Sequence, residues 1–295
     1  MREIQSRYLK RRRLKFTALL RVLNLFPGEF PSIYKGEGED FVDLRPYQSG
    51  DNAKRIHWPQ YAKARELFVI ERVVQKNLTI IVALDLSNSM SWSEEKLAVV
   101  DTFLEILIGS LVLTGNNSFG FVGFSSGIEG YFPPRLGRIH FRRILRWHME
   151  YQPKNSMTNI PAAMRFISRA TKPKSVIFFI SDFFEKREFE KEIKIASQKF
   201  DFIPVVIKDP KEFAVFSGTR IAYKDVETGK KATLWLTAKK AKEITIEEEA
   251  WMAKLKDLFK RHRLYSIFLD SAAEKDVAIA VHDFFKKRIV ARKKG

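Results

Sequence analysis

The sequence predicts an α/β protein: a doubly wound, mostly parallel sheet covered by helices, preceded by a small accessory β subdomain. Three observations carry this. Beyond residue 77, short apolar runs at 78–84, 118–124, 175–180, 202–207 and 264–269 alternate with longer helical stretches, the texture of parallel strands buried on both faces. Residues 32–77 are instead polar and broken by Gly36, Gly38, Gly50 and Asp51, with extended pieces at 41–44 and 67–74, as in a small β unit. At 295 residues and 45% hydrophobic content, the chain can build one large core and carry an appended piece.

In chain order, residues 4–26 read as a basic helix. Leu14, Leu19, Val22, Leu23 and Phe26 recur near helical spacing beside Arg11, Arg12, Arg13, Lys15 and Arg21, and Pro27, Gly28 and Pro31 end it. Residues 1–31 thus form a basic helix and linker, 32–77 the β segment, 78–288 the main domain and 289–295 a basic tail. Within the main domain Ser93 can cap the first helix, with Glu94 and Glu95 at the positive end of its dipole. Its body, 97–113, is apolar nearly all round, as in a helix pressed against a sheet, and Gly115 stops it. Further helices are expected over 136–149, 159–170, 187–199, 237–261 and 274–288. Strands at 220–223 and 232–236 flank a turn at Thr228-Gly229, a hairpin inserted at about 208–236, outside the βα alternation and free to pack with the earlier β segment.

The composition removes some chemistries and leaves others open. With no cysteine there are no disulfides, thiolate zinc sites or cysteine nucleophiles. No apolar run reaches the roughly 18 residues of a membrane helix, and the opening MREIQSRYLKRRRLKF lacks a signal peptide's apolar core, so a cytoplasmic protein without a transmembrane segment is expected. The net charge of +18 draws nucleic acid, anionic lipid or acidic protein faces alike. A Lys/Arg-rich solvated surface gives the same figure.

The residues that carry chemistry sit at strand ends. Asp85-Leu86-Ser87-Asn88-Ser89 follows the run 78–84 directly, Asp182 follows 175–180, and Thr158 lies in the loop before the helix that feeds the second of these strands. In open α/β sheets, ligands bind outside the carboxyl ends of strands, where crossovers diverge to opposite faces. Two carboxylates and three hydroxyls suit a hard octahedral cation, Mg²⁺ or Mn²⁺, that keeps some waters. The alternate spacing of Asp85, Ser87 and Ser89 lets three oxygens line one side of a tight loop. Read singly, these are ordinary turn and capping residues. Together, the Asp85-x-Ser87-x-Ser89, Thr158 and Asp182 set resembles the metal-ion-dependent adhesion site (MIDAS) of von Willebrand factor type A domains.

A second resemblance lies upstream. Gly36-x-Gly38-Glu39-x-Phe41, Leu44-Arg45-Pro46-Tyr47, Gly50-Asp51, Arg55-Ile56-His57-Trp58 and Ala64-Arg65 resemble the hallmark segment of the domain of unknown function 58 family, which precedes a type A domain. That resemblance implies a protein-interaction module partnering a MoxR-class AAA+ ATPase or its client, with Mg²⁺ or Mn²⁺ at Asp85, Ser87, Ser89, Thr158 and Asp182. Many members carry an acidic residue where His57 stands. From the residues themselves, Arg45, Tyr47, Asp51, Arg55, Trp58 and Arg65 form either a structural ion and cation–π cluster or a partner-docking surface.

Two other functions fit parts of the pattern. The same ion could serve a phosphoester-processing enzyme, although no base is evident. Basic residues beside aromatics, as in Phe141-Arg142-Arg143 and at 284–288, would suit a nucleic-acid binder, but amphipathic helices give the same string. Gly123-x-Ser125-x-Gly127 matches a nucleophile elbow, yet residues 128–132 read as a strand where the elbow needs a helix. Gly229-Lys230 lacks the rest of a phosphate loop, and His57, His140, His148, His262 and His282 show no metal spacing.

Overall fold

Parallel strands covered on both faces need apolar side chains pointing both ways, and the central sheet shows this. The computed structural model describes residues 40–53, 56–74, 78–91, 94–114, 117–151, 157–185, 187–209, 220–224, 231–235, 238–271 and 273–293. The expected basic helix at 4–26, Ser93 and the turn at Thr228-Gly229 lie outside them.

Six strands form the main sheet: β3 (Thr79–Asp85), β4 (Ser118–Phe124), β5 (Ile128–Arg135), β6 (Val176–Ser181), β7 (Asp201–Ile207) and β10 (Ile267–Leu269). Their order is β10-β7-β6-β3-β4-β5, and every pairing is parallel except β4 with β5. The chain builds outward from β3 to β4 on one side and then returns to place β6, β7 and β10 on the other. The order therefore reverses between β3 and β6. Residues 80–85 of β3 and all of β6 and β7 are buried.

Alternation assigns those side chains to two layers. Ile81, Ala83, Ile177 and Phe179 join a core with Ile160, Ala163, Met164 and Ile167 of α5 (Ile160–Ala170), Ile193 and Ala196 of α6 (Glu190–Lys199), and Leu255, Leu258 and Phe259 of α7 (Ala238–Arg261). On the opposite face Phe178 meets Phe103 of α3 (Glu94–Thr114) at 6.1 Å, and α3 packs on α8 (Glu274–Lys293). The last helix thus runs to Lys293, through most of the expected tail. A separate four-residue helix, α2 (Asn88–Ser91), precedes α3.

The β4–β5 hairpin carries its own helix. Gly123 and Gly130 face each other across the pair, and a Cβ on Gly130 would lie 2.4 Å from the indole of Trp147 in α4 (Arg138–Glu150). The two glycines make a flat seat for that ring, which also meets Phe121 at 5.6 Å and Phe132 at 5.7 Å. Gly130→Ala is expected to destabilise the protein by about 1–3 kcal/mol, read from the urea midpoint, because the indole must leave its packing. At Pro133 and Pro134, β5 carries no backbone donors.

Lys35–Leu78 form a second compact unit. In it β1 (Asp40–Pro46) and β2 (Phe68–Val74) pair antiparallel, with Asp40 opposite Val74 and Pro46 opposite Phe68. Strands alone are expected in this segment; the structure adds a short helix, α1 (Trp58–Ala64), with a proline in its first turn. The inserted hairpin forms a two-stranded sheet, β8 (Arg220–Lys224) with β9 (Lys231–Trp235).

Candidate metal centre

The switch point between β3 and β6 is where Asp85 and Asp182 emerge, and the chain turns sharply at both. Pairing of β3 with β4 runs one residue past the strand end, since the Leu86 N–H donates to the Phe124 carbonyl at 2.7 Å. The Ser87 N–H then folds back to donate to Asp85 Oδ1 at 2.9 Å. This local turn holds the carboxylate in place and passes the chain into α2. The hydroxyls of Ser87 and Ser89 lie 3.0 Å apart.

Another loop and the end of β6 deliver donors to the same carboxylate. Thr158 Oγ1 donates to Asp85 Oδ2 at 2.9 Å and Ser181 Oγ donates to the same oxygen at 2.7 Å. Thr158 is fixed at the mouth of α5, where the Asn159 side chain caps the helix by accepting from the Ala162 N–H at 3.1 Å. The Thr158 carbonyl accepts from Arg187 at 3.0 Å.

Asp182 is held by an unusual backbone. Phe183 has φ of 56°, a left-handed conformation uncommon for a bulky residue, and the next N–H, of Phe184, donates to Asp182 Oδ1 at 3.1 Å. The fully buried ring of Phe183, packed on Phe179 and Phe259 at 5.6 and 5.4 Å, anchors the strained turn. The other oxygen, Asp182 Oδ2, accepts from Lys96 Nζ at 3.1 Å, and the same ammonium donates to the Ser89 carbonyl at 3.2 Å. Lys96 lies in the first turn of α3 and is 1% exposed.

Electrostatics reflect this crowding. Asp85, 2% exposed, has its carboxyl pushed up to about 6, first by burial and then by the Asp182 charge, against the lowering pull of the Ser87 N–H and the Ser181 and Ser87 hydroxyls. Bringing a divalent cation here would offset both causes. The donor set fits such an ion: two carboxylates, with hydroxyls of Ser87, Ser89 and Thr158 retaining lone pairs beyond the bonds they make. The Lys96 ammonium against Asp182 offsets part of the carboxylates' negative charge. Among the described residues no three His, Cys, Asp or Glu converge, and an ion would rest on hydroxyl oxygens and water beside the two acids.

All five residues singled out in the sequence therefore meet at one place. Sequence reasoning missed Ser181, Lys96 and Arg187. Ser181 had no signal beyond preceding Asp182, whereas a lysine entering a helix apolar nearly all round was a usable one.

The remaining candidates fall elsewhere. Ser125 Oγ donates to Glu129 Oε1 at 2.6 Å inside the β4–β5 turn, so no strand-to-helix elbow exists there. His148 pairs with Asp101 at 3.3 Å and His262 with Glu190 at 3.3 Å, both in structural contacts. In the smaller unit Trp58 is 60% exposed and meets Tyr61 edge-on at 6.1 Å. Asp51 accepts from the Gln48 N–H at 2.9 Å, Arg65 ends α1 with φ of 59°, Tyr47 is 36% exposed and Arg45 lies in β1. Arg55 is outside the described residues. His57 has a plain role: its Nδ1 accepts from the Gln60 N–H at 3.1 Å and caps α1. An acidic side chain at this position could perform the same capping.

A mostly parallel six-stranded sheet with helices on both faces is a von Willebrand factor type A-like fold, and hydroxyl and carboxylate side chains gather at its switch point. The chain belongs to the family described as "Protein of unknown function DUF58", which it matches over residues 43–276. It is similar to uncharacterized proteins of Mycobacterium bovis and Mycobacterium tuberculosis, each 20% identical over 225 residues, covering 74% of this chain and 70% of theirs. Among solved structures it is similar to BatB from Bacteroides thetaiotaomicron, with 16% identity and a TM-score of 0.43 over 71% of this chain and 99% of that one. A von Willebrand factor type A protein from Catenulispora acidiphila matches with 12% identity and a TM-score of 0.41, over 88% and 51%. Proximal thread matrix protein 1 from the mussel byssus, with a zinc-occupied MIDAS motif, matches at 18% identity and a TM-score of 0.37, over 45% and 38%. Among the described residues no helix is long and apolar enough to cross a membrane.

Proposed function

We propose that the chain is a divalent-cation-dependent protein-interaction module. The observation that carries this is the convergence of two loops and the end of β6 on Asp85, through its bonds from Ser87, Thr158 and Ser181. Asp85 and Asp182 supply the charge that holds Mg²⁺ or Mn²⁺, while Ser87, Ser89 and Thr158 supply hydroxyl oxygens. A bound ion would offer an open position to an acidic group of a partner. In a cytoplasmic setting, which suits Mg²⁺, the family resemblance points to a MoxR-class AAA+ ATPase or its client as that partner.

The test is capture of such an ATPase by the full chain with Mg²⁺ and again with EDTA. Capture that EDTA and Asp182→Ala both abolish, with circular dichroism unchanged, is expected. Capture indifferent to both would sink the reading.

A further inference from the structure

A buried ammonium needs a compensating charge or its burial is strongly unfavourable. Lys96 finds that charge in a residue of the cation site. Its side chain is 1% exposed, that of Asp182 is 9% exposed, and the two lie 3.1 Å apart, with the Ser89 carbonyl as a second acceptor. The contact links the first turn of α3 to the loop after β6, across 86 positions of sequence. A lysine with only a surface role would turn its amine to water. Here the amine points inward.

The charge balance gives that position a consequence. Two ionised carboxylates, Asp85 and Asp182, against one ammonium leave the metal-free site net negative. A divalent cation turns it net positive by one charge, in surroundings shielded from water where an uncompensated charge is unfavourable. Without the ammonium, the loaded site would be neutral and would have less need of an anion.

We propose that Lys96 is an internal counter-cation that weakens binding of a divalent ion alone and couples it to binding of a carboxylate, so that ion and acidic partner bind together. This rests on the cation-site reading above and assigns how that site is regulated. Linkage makes the coupling reciprocal: a carboxylate tightens the ion as much as the ion tightens the carboxylate. A module built this way stays largely unloaded until an acidic partner arrives.

The experiment is a Mn²⁺ titration of the full chain at pH 8, followed by the electron paramagnetic resonance signal of free Mn²⁺, with and without acetate as the carboxylate probe. Wild type is compared with Lys96→Met, Lys96→Gln and the charge-keeping Lys96→Arg, each checked for folding by circular dichroism. Loss of one nearby positive charge is expected to tighten Mn²⁺ alone by about tenfold in the Met and Gln variants and to erase most of the acetate effect. Lys96→Arg should behave as wild type. Binding of Mn²⁺ alone only in the neutral variants, with acetate restoring it in wild type, would also support the inference, whereas no binding in wild type even with acetate would overturn the coupling. Unchanged or weaker Mn²⁺ binding in a folded Met or Gln variant, or equal tightening in the Arg variant, would overturn the role of Lys96 and leave the cation site standing. Absence of Mn²⁺ binding in all four proteins would overturn the site itself, and the inference with it.

Discussion

Asp85→Asn is expected to reduce Mn²⁺ affinity at least about a hundredfold and, in the metal-free protein at pH 7.5, to raise stability by about 2–3 kcal/mol. The opposite signs follow from one property of the site. Burial and the neighbouring Asp182 push the Asp85 carboxyl up to about 6, from a usual value of 3.8. A raised acid binds a proton more tightly folded than unfolded, so between these two values the folded state holds more protons and stability falls as pH rises. The penalty is complete above about pH 7 and absent below about pH 4. The gain from Asn should therefore shrink as pH drops through 6, which denaturant titrations at pH 4.5, 6 and 7.5 would read out. An amide can keep its oxygen toward the Ser87 N–H while the hydroxyls of Thr158 and Ser181 rotate to accept. In the wild type, Mn²⁺ affinity should itself fall as pH drops below about 6, because protons compete at Asp85. A pH-independent gain from Asn, or Mn²⁺ affinity that survives it, would contradict this account.

Arg288→Ala is expected to destabilise the protein by about 3–5 kcal/mol, lowering the melting temperature by roughly 10 °C. Arg288 of α8 donates to Asp201 Oδ2 at 2.5 Å, at the first residue of β7, and the two side chains are 4% and 2% exposed. The guanidinium also lies over the ring of Phe284, 5.3 Å from its centre. Removing it takes the paired cation away from a buried carboxylate. The double variant Arg288→Met, Asp201→Leu should recover most of the loss, because neither charge is then left alone. A single variant within about 1 kcal/mol of wild type would contradict this weight for the pair.

The strands were legible because burial on both faces writes them as unbroken apolar runs. The expected 118–124 coincides with β4, the expected 202–207 differs from β7 by one residue at its start, and the expected 78–84 is shifted by one residue from β3. Helix α1 was readable in principle from Trp58-Pro59 after a capping residue, but histidine is seldom read as a cap. The run of α8 to Lys293 was hidden because a basic end satisfies a helix dipole as readily as it signals a tail. At the cation site, spacing alone placed Asp85, Ser87 and Ser89 in one loop, and strand ends placed Asp182 and Thr158 near it. Lys96 was legible only as a lysine opening a helix apolar nearly all round; its role was not, because sequence shows neither which way an amine points nor what lies 86 residues away in the chain but 3.1 Å away in space.

The proline pair in β5 bears on how this protein behaves at high concentration. A sheet's outermost strand is an open template, and unpaired donors along it invite a second molecule to add on. Consecutive prolines at 133 and 134 interrupt that row, and exposed Arg135 beside them adds charge repulsion between copies. At the other end of the strand order, β10 offers only three residues. Strand addition to the six-stranded sheet is thus discouraged at both of its edges.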